Sequence, residues 1–319
     1  MSQFFIILNQ IGVFVILLAL GAICRRIKIL NEVSLYSISQ ITVKVALPAF
    51  IFANTAFNST KEDLIAALPV LPVFACLYIV LLLISMLLEK IFRLKGNRRN
   101  VFRMCLMFGN GGLFGLPLVL ELYGNSSLIY CGLMTLIDMI IIWTYGVTLS
   151  YDTEGENAVS HRLTVKQFLR MMFSPALISV LLSIVFILFG WDLPGFVDTA
   201  LIKTGNLLSP LGLIYMGGML SWPSIRQTLG RKEIFAEVAV KMFALPILCY
   251  AVIRLAGFPL TMAGTVSIFA GLPTFMVSMM LAKNNGSDGD YAVGMVMITT
   301  LSCLITFPLS SAVISLLPL

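Results

Sequence analysis

The sequence predicts an all-α polytopic membrane protein with ten transmembrane helices in a 5+5 inverted repeat, the fourth and ninth helices being broken where they cross. Three observations carry this prediction. The 319 residues are 59% hydrophobic and only 11% charged, with a mean hydropathy of +0.99, whereas soluble domains carry about 25% charged residues. Apolar runs of about 20 residues, the length a helix needs to cross a bilayer, recur along nearly the whole chain. Two of these runs are interrupted by glycine and proline at positions related by one constant shift.

Hydropathy and breaker residues place the spans near 4–24, 34–56, 64–88, 100–123, 127–151, 167–189, 196–221, 232–253, 260–283 and 290–317. No Lys or Arg precedes the first run in Met1-Ser2-Gln3-Phe4, so that run is expected to be a retained span rather than a signal peptide. All six cysteines, Cys24, Cys76, Cys105, Cys131, Cys249 and Cys303, fall in or beside spans without C-x-x-C spacing, which reads as isolated buried thiols.

Lys and Arg divide unevenly between alternate loops. Sixteen lie on one side, from Arg25, Arg26 and Lys28 to Lys283, and only Lys61 and Arg254 on the other. Basic loops stay cytoplasmic, so both termini are expected outside, in the cell inner membrane. The same confinement to short loops argues against nucleic acid as the reason for the net charge of +6.

The long polar connection, containing Asp152, Glu154, Glu156 and the sole histidine His161, divides the chain into a first five-helix repeat (1–151), a cytoplasmic linker (152–166) and a second, inverted repeat (167–319). An offset of 162 carries Pro48 to Pro210, Gly124 to Gly286 and Gly132 to Gly294. It also carries Asn110-Gly111 onto Leu272-Pro273, so that Phe108-Gly109-Asn110-Gly111-Gly112-Leu113-Phe114-Gly115-Leu116-Pro117 faces Phe269-Ala270-Gly271-Leu272-Pro273-Thr274.

Glycine costs about 1 kcal/mol and proline about 3 kcal/mol against alanine inside a helix, so both stretches should be unwound. At membrane depth an unwound segment must line a cavity or lie within protein, and paired breaks of this kind point to a transporter's binding site. The second half of each broken helix begins near the midplane, where two N-termini would favour an anion. The candidate substrate-binding residues are Asn110, Gly111, Gly112, Gly115, Pro117, Gly271, Leu272, Pro273, Thr274 and Lys44. The bland alternative is close packing of small residues.

Lys44 lies about ten residues, or about 15 Å, into its span, where a lysine costs about 3 kcal/mol and is expected to face the interior with a partner. Its repeat equivalent is Asn206. Asp138, central in span five, reads either as a proton or sodium site or as the partner of Lys44 or Lys241. These residues are the coupling or ion-pair candidates. Glu237 and Lys241 are four apart, which suggests a local i,i+4 pair. No nucleotide, metalloprotease or serine-hydrolase motif is present, so no catalytic residue, metal or cofactor is expected beyond coupling to H+ or Na+.

These residues resemble a known family. Asn110-Gly111-Gly112-Leu113-Phe114-Gly115-Leu116-Pro117 is similar to the Asn-x-x-x-x-Gly-(Ile/Leu)-Pro crossover signature of the auxin efflux carrier family, and Val45-Ala46-Leu47-Pro48 to its second-span proline motif. Leu272-Pro273-Thr274 with Leu281-Ala282-Lys283 and Gly286 resembles its second crossover. The short central loop looks like the branch that includes malonate and malate permeases. The resemblance implies a scaffold and a transport domain, and a small organic anion, a mono- or dicarboxylate, carried by alternating access at the crossing of helices 4 and 9. A departure is Leu272 opposite Asn110, and Lys44 is not part of the family pattern. Membrane lipid is the other expected partner, and a homodimer the assembly considered. An uncoupled anion channel and a membrane receptor or sensor are the competing classes.

Overall fold

The computed structural model describes residues 3–56, 60–154, 175–220 and 222–317. These form helices α1 (Gln3–Arg26), α2 (Glu32–Ala56), α3 (Lys61–Phe92), α4 (Gly96–Met107), α5 (Gly111–Tyr123), α6 (Asn125–Leu149), α7 (Pro175–Phe189), α8 (Gly195–Gly205), α9 (Leu208–Gly218), α10 (Trp222–Leu229), α11 (Lys232–Leu255), α12 (Leu260–Ala270), α13 (Met276–Asn284) and α14 (Gly289–Ser315). Among the described residues, α2, α3, α6, α11 and α14 are each long and apolar enough to cross a membrane, and α5 and α12 are shorter apolar helices. The protein is an all-α polytopic membrane protein with bent and interrupted helices. Glu156, His161 and the rest of the polar connection beyond Glu154, with the start of the span expected at 167–189, lie outside the described residues.

Several bends share one cause. Widened, π-helical turns occupy Thr42–Ala46, Gly111–Gly115 and Val238–Ala244, and each is followed two residues later by proline: Pro48, Pro117 and Pro246. A proline ring crowds the carbonyl four residues back and offers it no N–H, so the helix relieves the clash by widening one turn. Another such turn, Ile142–Gly146, has no proline after it.

The chain divides into two compact units, each drawn from both halves of the sequence. The first comprises Met1–Leu71, Gly112–Leu136 and Phe173–Leu220. Its helices approach one another through glycine. A Cβ at Gly21 would strike the Ile214 carbonyl and one at Gly217 the Leu18 carbonyl, so α1 and α9 touch backbone to backbone. Helix α2 packs on α7 and α8, with Phe52 and Phe186 edge to face at 5.1 Å and Phe50 against Gly205.

The second unit comprises Pro72–Gly111, Ile137–Met172 and Ser221–Leu319. Here α4 is fastened by two arginines. Arg98 pairs with Glu233 of α11, its Nε donating at 3.0 Å, and Tyr291 of α14 donates to the same carboxylate at 3.1 Å. Arg103 donates to Glu89 of α3 at 2.8 Å through Nε and to the Tyr145 hydroxyl of α6 at 2.9 Å. The start of the polar connection is tied down as well, Asn97 donating to Asp152 at 2.6 Å.

Candidate functional site

The second unit contains the place where two interrupted helices meet. Helix α4 ends at Met107, and Phe108 is extended (φ −101°, ψ 122°). Helix α12 ends at Ala270, and the chain resumes as α13 only at Met276. Leu272 precedes Pro273, which disfavours the helical region for it, so the break has a local cause. The two unwound stretches pair antiparallel through a bridge between Gly109 and Thr274. The Asn110 N–H donates to the Pro273 carbonyl at 2.8 Å, and the Phe275 N–H to the Phe108 carbonyl at 2.9 Å. Glycine is required for this approach: a Cβ on Gly109 would lie 2.8 Å from Leu272 Cβ, and one on Gly111 2.9 Å from the Phe269 ring.

Around the bridge the polar groups are sealed from solvent. Asn110 and Thr274 are both 0% exposed and Leu272 is 1%. The Thr274 N–H donates to Thr299 Oγ1 at 3.0 Å, and its hydroxyl lies within hydrogen-bonding distance of the Cys105 carbonyl (3.2 Å) and Glu237 Oε1 (3.3 Å). Lys241, fully buried, donates from Nζ to the same Cys105 carbonyl at 3.4 Å. That carbonyl belongs to the last turn of α4, where backbone acceptors lack helical partners and the dipole favours a cation. The crossing therefore contains helix C-termini as well as N-termini, and Lys241 neutralises one of the former.

Tyr78 donates its hydroxyl to Asp138. Both line a small cavity of about 10 Å³, room for roughly one water-sized sphere, which also touches Gly109 and Leu272. Asp138 thus reaches the crossing from α6.

Several sequence-based expectations change here. Glu237 and Lys241 do not form a contact ion pair. The widened turn Val238–Ala244 re-aims the lysine, so that it points to Cys105 while Glu237 meets Thr274. Lys44 is exposed, within the widened turn Thr42–Ala46, instead of facing the interior; depth along a span does not specify which face a side chain takes. Asn206 is also exposed, capping the end of α8.

Of the candidate residues, Asn110, Gly111, Gly271, Leu272, Pro273 and Thr274, with Asp138 and Lys241, belong to the second unit, whereas Gly112, Gly115, Pro117, Lys44 and Asn206 belong to the first. Glu237, Tyr78 and Thr299 were not singled out as site residues. Only Glu237 carried a signal, a carboxylate inside an apolar run.

The chain is similar in sequence to transporters of two other organisms. It is 26% identical over 223 residues to an uncharacterized transporter of Methanocaldococcus jannaschii, covering 67% of this chain and 69% of that one. It is 22% identical over 307 residues to an uncharacterized transporter of Methanothermobacter thermautotrophicus, covering 94% and 95%. Residues 5–311 match the family described as Membrane transport protein. The chain belongs to that family, the auxin-efflux-carrier group of membrane transporters.

Proposed function

We propose that the protein is a secondary transporter of a small organic anion, a mono- or dicarboxylate such as malonate or malate, which binds at the crossing and moves by alternating access. The observation that carries this reading is the antiparallel meeting of two unwound helix segments around buried Asn110, Thr274 and Lys241. The helices restart at Gly111 and Met276, so two helix N-termini, whose dipoles favour an anion, lie beside the crossing, and Lys241 supplies the positive charge that a carboxylate needs. Asp138 and Lys241 are the coupling candidates inside this unit, and Gly115 and Pro117 shape the start of α5.

We further infer ten spans in a five-plus-five inverted repeat, with repeats 1–151 and 167–319. Local conformation at the offset positions supports it. Gly124 and Gly286 both end helices at positive φ, 75° and 76°, and Pro48 and Pro210 both follow an irregular turn. The Gly109–Thr274 pairing is centred between Asn110–Gly111 and Leu272–Pro273, the pair of steps that the offset of 162 equates. Basic loops cytoplasmic and termini outside complete the topology.

Uptake of labelled malonate, malate and monocarboxylates by proteoliposomes under imposed proton and sodium gradients tests the reading. One of them should saturate, and Asn110→Ala should lower its uptake at least tenfold. Wild-type rates in that variant would remove the crossing from the site.

A further inference from the structure

Among the described residues, Glu237 is the one carboxylate sealed completely within the crossing. It is 0% exposed, one oxygen meets the Thr274 hydroxyl, and the other is buried without a hydrogen-bond partner. Lys241, one turn on, is 1% exposed and is directed to the Cys105 carbonyl rather than to Glu237, although the two charges are near enough to feel each other. A carboxylate ion left uncompensated in such a place is strongly unfavourable, so its charge must be balanced by the lysine or removed by a proton.

We propose that Glu237 is the proton-binding site of the transport cycle, and that proton and substrate anion enter together because each corrects the charge left by the other. The proposal rests on the carboxylate-transport reading. With Glu237 ionised, Glu237 and Lys241 sum to zero and the crossing has no charge to offer an anion. When a proton binds the unpartnered oxygen, the lysine is left in excess by one positive charge, and one carboxylate group of the substrate balances it. Release of the anion makes loss of the proton favourable again. The proton comes from and returns to water as hydronium, so one O–H bond of hydronium breaks as the carboxyl O–H forms, and no other bond changes.

Among the described residues around Glu237, the other titratable groups are placed differently. On α4 the nearest titratable group is the buried Cys105 thiol, while Arg98 is bound to Glu233 and Arg103 to Glu89 of α3. On α14 the Tyr291 hydroxyl is committed to Glu233, and Asp288 caps that helix through the Tyr291 N–H. On α6, Asp138 receives the Tyr78 hydroxyl of α3. The crossover and Thr299 contribute no titratable group, only the Thr274 and Thr299 hydroxyls and the Asn110 amide. A sodium ion would need about five or six oxygens, and here the Lys241 ammonium stands among the few available.

Infrared titration of the reconstituted protein decides the matter without a substrate. In an Asp138→Asn background, a protonated-carboxyl band should appear on acidification and vanish when Glu237→Gln is added, the amide keeping the side chain's shape. A band that persists in the double variant, or that never appears in the Asp138→Asn protein, overturns the proposal.

Malonate uptake with the membrane potential clamped at zero supplies the second measurement. One proton per anion gives about tenfold accumulation per unit of pH gradient, falling to about onefold in Glu237→Gln. Accumulation that follows a sodium gradient and ignores pH also overturns it. Absence of malonate uptake by the wild type counts against the carboxylate reading, and the infrared result then stands alone on Glu237.

Discussion

Arg103 and Glu89 have side chains only 18% and 5% exposed. Taking the arginine away strands a buried carboxylate, which typically costs about 3–5 kcal/mol. Arg103→Met is therefore expected to lower the melting temperature in detergent by several degrees, and adding Glu89→Gln should restore most of it; equal melting of wild type and Arg103→Met would show that the pair carries no such burden. Glycines offer a finer contrast. A methyl on Gly21 meets the Ile214 carbonyl, a backbone atom that cannot swing aside, whereas one on Gly12 has nothing within 4 Å. Gly21→Ala should cost about 1–3 kcal/mol through overpacking, with Gly12→Ala indistinguishable from wild type in the same thermal assay.

Among the elements, the broken helices depend most directly on single residues. Pro273 holds Leu272 out of helical geometry, and its carbonyl accepts from the Asn110 N–H. With Pro273→Ala, α12 and α13 can join into one helix. Transport should then fall at least tenfold while melting stays the same or rises, and retained uptake would mean that the break survives without the proline. The breaks were legible in the sequence because glycine and proline act on their own backbone and need no tertiary knowledge. Glu237 and Lys241 were not, because four-residue spacing implies a facing pair only in an α-helix, and Val238–Ala244 is wider. Lys44 failed for a related reason: position along a span gives depth and leaves the face open, and its face is exposed. Tyr78 and Thr299 gave no signal, since a hydroxyl in an apolar run looks the same whether it serves the site or its own helix.

At the scale of the molecule, the asymmetry of sixteen basic residues against two predicts a topology that can be measured. Lys61 and Lys95 are both exposed, one from each class of loop. In a background without the natural cysteines, Lys61→Cys should react with an impermeant maleimide in intact cells and Lys95→Cys only after permeabilisation; the reverse pattern would invert the protein in the membrane. The coarse plan, many apolar helices with two of them interrupted, was readable from composition and punctuation. The compact units were harder to foresee, because each gathers segments far apart in the chain.

The bridge between Gly109 and Thr274 is made by main-chain groups, Asn110 N–H to Pro273 and Phe275 N–H to Phe108. Such bonds survive most exchanges of the side chains they carry. Side chains around such a junction are thus free to change while the junction itself stays, and a change of diet need not begin with a change of architecture.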